Sequence, residues 1–164
     1  MTKGVLLACE RADSAKLPVS VILSLLPMLV ACGADPDARF GTSVTAMDHD
    51  PSDTLVRSVT VDGAWAGPAG TGGSTVCCVS LPVRWHEGLQ ATVRWERCEP
   101  YGENCRWHEK AVPIHPYTEV GRVWLHIVND DEVAIIPSML APDHPDYPGP
   151  GYPEKDFFRK KDTP

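Results

Sequence analysis

An all-β fold is what the sequence predicts, on three observations. Sixteen prolines and thirteen glycines in 164 residues interrupt the chain too often for long helices. Short runs rich in Val, Ile, Thr and Trp recur between turn clusters, and the run at 55–61 alternates side by side along its length. The length suits one domain. Together these predict a single sandwich of about seven short strands, of the immunoglobulin-like kind.

Residues 1–31 read as a signal peptide. Residues 17–31 carry no charge, and Lys3, Arg11 and Lys16 precede them. The run is short for a membrane span, which needs roughly 20 apolar residues, and it contains Pro18 and Pro27. It ends Leu29-Val30-Ala31-Cys32-Gly33, which resembles a bacterial lipobox. Cleavage before Cys32 would leave a thiol to carry diacylglycerol and an amine to be acylated. Several chains are needed because one acyl chain anchors only marginally, at ~0.8 kcal/mol per buried CH₂. Gly33, not Asp, follows the cysteine, so by the bacterial sorting pattern this resembles an outer-membrane lipoprotein facing the periplasm.

Residues 32–41 form a polar tether, residues 42–140 the sandwich, and residues 141–164 a Pro-rich extension. The first strand is expected at 42–47, where Thr42, Val44 and Thr45 are β-branched. The second, 55–61, ends at Asp62-Gly63, a turn pair. Residues 64–74 read as a Gly-rich loop. The third strand, 75–81, stops at Pro82, which has no N–H to give a ladder. The fourth, 89–95, alternates and is expected beside the third, with Trp85 and Trp95 as the largest apolar units. The fifth runs 107–114, with Pro113 and Pro116 placing its end at a sheet edge. The sixth runs 123–128. Asn129-Asp130-Asp131 turns the chain into the seventh, 132–136. The five tryptophans are expected mostly in the core.

The formal net charge is −7, and removing residues 1–31 leaves 12 basic and 20 acidic residues. That balance excludes the Lys/Arg-driven grip on phosphates that nucleic-acid binding needs. It suits a basic protein partner, through faster encounter.

Beyond Cys9 and Cys32, four cysteines remain: Cys77, Cys78, Cys98 and Cys105. In an oxidising compartment an even count suggests disulfides. Cys98 and Cys105 flank one loop, and a hairpin there predicts their pairing. Cys77 and Cys78 are strand neighbours, which point to opposite faces, so a bond between them would be strained and is not expected. They are expected as buried thiols, with one pairing to Cys98 or Cys105 as the alternative. A zinc site drawing on the cysteines with His86, His108 or His115 lacks Cys-x₂-Cys spacing and is disfavoured. No Gly-x-Ser-x-Gly, His-Glu-x-x-His or phosphate-loop motif is present, so neither a catalytic set nor a cofactor is expected. Trp85-His86-Glu87 and Trp107-His108-Glu109 read as surface polar pairs rather than acid–base couples.

The stretch Gly72-Gly73…Cys77-Cys-Val-Ser-Leu-Pro82…Trp85-His-Glu-Gly-Leu89…Val93-Arg-Trp95, with Pro113-Ile-His-Pro-Tyr117 and His144-Pro-Asp-Tyr-Pro148, resembles a family of proteobacterial lipoproteins. Members of that family look like immunity proteins against type VI secretion phospholipase effectors. The resemblance implies a non-enzymatic, periplasmic, membrane-tethered binder that neutralises a secreted lipase. The alternative is an envelope structural or assembly lipoprotein that binds another envelope component; a small hydrolase is a third reading.

Overall fold

A computed structural model of the chain describes residues 38–155, which belong to one compact unit. The lipobox and Cys32 lie outside the described residues. Among the described residues, eight strands form two four-stranded sheets. They are β1 (Arg39–Asp48), β2 (Leu55–Val61), β3 (Ala64–Gly67), β4 (Val76–Pro82), β5 (Gln90–Cys98), β6 (Arg106–Pro113), β7 (Arg122–Ile127) and β8 (Val133–Ser138). The first sheet has the order β4-β1-β7-β8 and the second β3-β2-β5-β6. β1 and β7 run parallel; every other pairing is antiparallel.

The sheets form a sandwich because alternation gives each strand one apolar face. Val44 and Ala46 of β1, Val123, Leu125 and Ile127 of β7, and Val79 and Leu81 of β4 point inward. They meet Val56, Val59 and Val61 of β2 and Ala91, Val93 and Trp95 of β5. Trp95 is the largest fully buried side chain. A core of this kind stabilises at roughly 25 cal/mol per Å² of apolar surface removed from water.

The second face of the first sheet is also covered. Met47, Trp124 and Ile136 point away from the main core and are sealed by Tyr147 from the C-terminal segment. Trp124 meets Tyr147 and Tyr152 edge to face. Gly72, at φ +100°, leaves the room that the Tyr152 ring occupies. At Gly121 the chain passes so close to the Ser138 backbone that no Cβ would fit.

Several expectations change. The sequence predicts about seven strands, and residues 64–67 within the expected Gly-rich loop form an eighth, β3. Asp62 and Gly63 both have positive φ, the backbone of a two-residue hairpin turn, so the chain reverses onto β2 at once. The strands predicted as neighbours, now β4 and β5, lie in different sheets. Alternation specifies which face is apolar; it does not specify the pairing partner. After Pro82 the connection crosses between sheets, held where the Trp85 indole donates to the Ile114 carbonyl at 2.9 Å. Trp85 is accordingly only half-buried, and Trp65 and Trp107 are about half exposed rather than core.

Cys98 and Cys105 are disulfide-bonded across the β5–β6 connection. Cys98 is buried and Cys105 exposed. Replacing both by serine is expected to cost about 2.5 kcal/mol, the chain-entropy value for so short a loop, read from urea unfolding. Cys77 and Cys78 are neither buried nor free: both are exposed and bonded to each other. The expectation of buried thiols assumed the alternation of a regular strand. Here β4 is not regular: its pairing with β1 shifts register between Val76 and Val79, so the two cysteines lie in a bulge.

Candidate functional site

Two polar constellations stand at one end of the sandwich, and the first takes inward strand positions where regular alternation would place apolar residues. The first is a buried charge cluster. Asp48 follows Val44 and Ala46 on the inner face of β1, and Arg97 follows Ala91, Val93 and Trp95 on the inner face of β5. The Asp48 side chain is fully buried and that of Arg97 nearly so. Arg97 Nη1 lies 3.3 Å from Asp48 Oδ1 and donates to Thr54 Oγ1 at 3.0 Å. Arg97 Nε donates to Asp130 Oδ1 at 2.7 Å, from the β7–β8 turn. Lys155 Nζ reaches Asp48 Oδ2 and the Thr54 carbonyl, each at 2.6 Å. One carboxylate thus ties β1 to β5 and to the C-terminal segment.

The second is a chain of three rings. His49 Nε2 lies 2.8 Å from His126 Nδ1, and His126 Nε2 lies 2.6 Å from the Tyr147 hydroxyl. Burial, with the nearby His49, lowers the His126 pKa to about 3. Burial also lowers that of His49, against the pull of the Asp48 carboxylate, and pushes the Tyr147 hydroxyl up. A neutral His126 carries one N–H, so its two bonds run in one direction, from Tyr147 to His49 or the reverse. Both constellations fasten the C-terminal segment: Tyr147 through the rings, Lys155 through Asp48.

The outer face of the second sheet is different in kind. Trp65, Thr60, Arg94 and Glu109 lie in one row across its four strands. Ser58, Glu96 and Trp107 lie in the adjoining row. Trp65 is 58 % and Trp107 48 % exposed. The Arg94 guanidinium sits 4.4 Å from the centre of the Trp107 ring, a cation–π contact that pre-positions both groups. The two tryptophans therefore present aromatic surface to solvent on a rigid sheet.

The histidines weighed for zinc do not gather. His86 is exposed with Nδ1 beside the Glu87 carbonyl, and His115 Nδ1 faces the Pro116 carbonyl. His108 stacks on Trp95 at 5.2 Å, with Nε2 3.8 Å from Asp130. Among the described residues, Glu96, Cys98 and Cys105 have metal-ligand proximity, but both sulfurs are spent in the disulfide.

Sequence reasoning missed Asp48, Arg97, Lys155 and the three rings. One signal was available: Arg97 sits at an inward position of an alternating strand, where a charge needs a buried partner.

The profile of a family described as Protein of unknown function (DUF3304) matches residues 49–135. The chain belongs to the DUF3304 family. No curated protein and no solved structure matches it. The DUF3304 match begins at His49 and ends in β8. It takes in Arg97, His126, Asp130 and the face bearing Trp65, Arg94 and Trp107. Asp48, Tyr147 and Lys155, which complete the two constellations, fall outside the matched DUF3304 residues.

Proposed function

We propose that this DUF3304 protein is an exported binding protein, anchored through Cys32 at the periplasmic face of a bacterial membrane, that neutralises a secreted phospholipase by stoichiometric contact. The observation that carries the binding reading is the contrast between the two outer faces. That of the first sheet is sealed by Tyr147, while that of the second offers Trp65 and Trp107 around Arg94. Trp and Arg are the residues that most often dominate interface energetics. A sheet locked on both sides of its core loses little freedom on binding, which favours affinity. Disulfide bonding suits an oxidising compartment. The target class comes from the resemblance carried by the Cys77–Trp95 stretch.

The test is protection of a cell. Where a phospholipase gene adjoins this one, its product is sent to the periplasm, with and without the full-length protein; absence of such a gene favours an assembly role. Rescue supports the reading. Failure of rescue with folded protein present overturns it, and capture of another envelope component would then favour an assembly role. Trp65→Ala with Trp107→Ala is expected to weaken binding of the lipase at least about thirtyfold, from two interface anchors at ~1 kcal/mol or more each. The melting temperature should fall little, because both rings lie outside the core and are about half exposed. Cys32→Ala is expected to release the protein from membranes on fractionation, and a variant that still pellets would remove the lipid anchor.

A further inference from the structure

The two disulfides differ in what they join. Cys98 and Cys105 are seven residues apart and close the β5–β6 connection, with Cys98 buried. Cys77 and Cys78 are sequence neighbours, so their bond joins no distant parts of the chain. The stabilisation that a disulfide draws from the unfolded state grows with the loop it closes, and here there is almost no loop. Bracing the fold therefore does not account for this pair.

Its location favours reaction instead. Both residues are exposed, and β4 is an edge strand whose only neighbour in the sheet is β1. Thr42 pairs with Val79 and Val44 with Val76, so Cys77 and Cys78 lie together opposite Ser43. This is a bulge, which takes the pair out of the regular ladder. Beside Cys78 the neighbouring strand carries Gly41; a Cβ there would lie 3.9 Å from the Cys78 Cβ, so position 41 places no side chain against that flank. Exposed disulfides exchange more readily than buried ones.

We propose that Cys77–Cys78 is an exchange site that accepts two electrons from a dithiol, while Cys98–Cys105 remains a structural bond. A thiolate of the dithiol attacks one sulfur of the pair. The Cys77–Cys78 bond breaks, a mixed disulfide forms, and the other cysteine leaves as a thiolate. The second thiol of the donor, deprotonated, attacks its own partner's sulfur in the mixed disulfide and releases the remaining cysteine. The donor ends as a disulfide, and Cys77 and Cys78 end as two thiols carrying the two protons. The site is independent of the target proposed above, since it uses the edge of the first sheet and not the outer face of the second.

The full-length protein is titrated with dithiothreitol under native conditions. Thiols are alkylated at each point and mapped by mass spectrometry, with the melting temperature measured in parallel. Cys77 and Cys78 are expected to label together at a roughly tenfold lower dithiothreitol concentration than Cys98 and Cys105, with the melting transition retained. The low-concentration step should vanish in C77S/C78S and persist in C98S/C105S. Opening of Cys98–Cys105 first or at the same concentration overturns the proposal. So does labelling of Cys77 and Cys78 only as the fold is lost, or their isolation as free thiols under oxidising conditions. If C77S/C78S does not fold, the wild-type map decides alone. Reduced thioredoxin in a second arm distinguishes the donor: faster reduction than by an equal dithiothreitol concentration assigns a protein dithiol, slower reduction a small one.

Discussion

Asp48→Asn is expected to lower the unfolding free energy by about 3–5 kcal/mol, the usual cost of removing one partner from a buried ion pair. Asparagine keeps the shape and removes the charge. Arg97 and Lys155 would then lose the carboxylate they share, and their side chains are each only 7 % exposed; Asp50, 3.6 Å from Arg97 Nη1, stays at the edge of the site. Asp130 still holds Arg97 Nε, but it is 46 % exposed and well screened. The loss is largest for the C-terminal segment, because the Lys155–Asp48 contact joins that segment to β1. Urea unfolding measures the total, and hydrogen exchange around Tyr147 reports whether the segment loosens first. A change below about 1 kcal/mol would mean that the cluster contributes like a surface pair.

Acidification is expected to unfold the protein progressively from about pH 6.5 downward, with His126 as the leading contributor. The direction follows from proton counts. In the unfolded chain the imidazole titrates near its model value of 6.5, whereas in the fold it titrates at about 3. Between those values the unfolded state binds a proton that the folded state refuses. Stability therefore rises with pH across the window and is lost as pH falls through it, by up to about 1.4 kcal/mol per unit for this one group. Above pH 6.5 both states are neutral at His126, and the dependence from this group vanishes. His49 shifts in the same direction and adds to the slope. The groups facing His126 are His49 and the Tyr147 hydroxyl, with Asp48 acting on His49. His126→Phe should flatten the acid limb of a plot of unfolding free energy against pH. An unchanged slope would assign the acid sensitivity to the carboxylates of the charge cluster instead.

Much of the strand pattern was legible because its signals are local. Leu55–Val61 begins and ends where alternation and Asp62-Gly63 place it. Pro82 closes β4 and Pro113 closes β6, since proline cannot continue a ladder. The Cys98–Cys105 bond was legible for the same reason: one short hairpin connection holds both partners. β3 was missed although its signal was present, because Asp-Gly was read as a stop rather than as a two-residue reversal. The Cys77–Cys78 bond was missed because regular alternation was carried into a strand that bulges.

The polar end of the sandwich was hidden for a different reason. Asp48, Arg97 and Lys155 are far apart in the chain, and nothing in the residues around any one of them names the others. The same holds for His49, His126 and Tyr147. From the sequence alone came an all-β chain of short strands, its turns and its hairpin disulfide, because backbone preference and side-chain period act between near neighbours. Which strands pair, which sheet face is sealed by the C-terminal segment, and which charges are buried together were decided only in three dimensions. Those outcomes depend on desolvation and contact between segments that the chain brings together by folding, and a buried charge is tolerated only where its distant partner arrives.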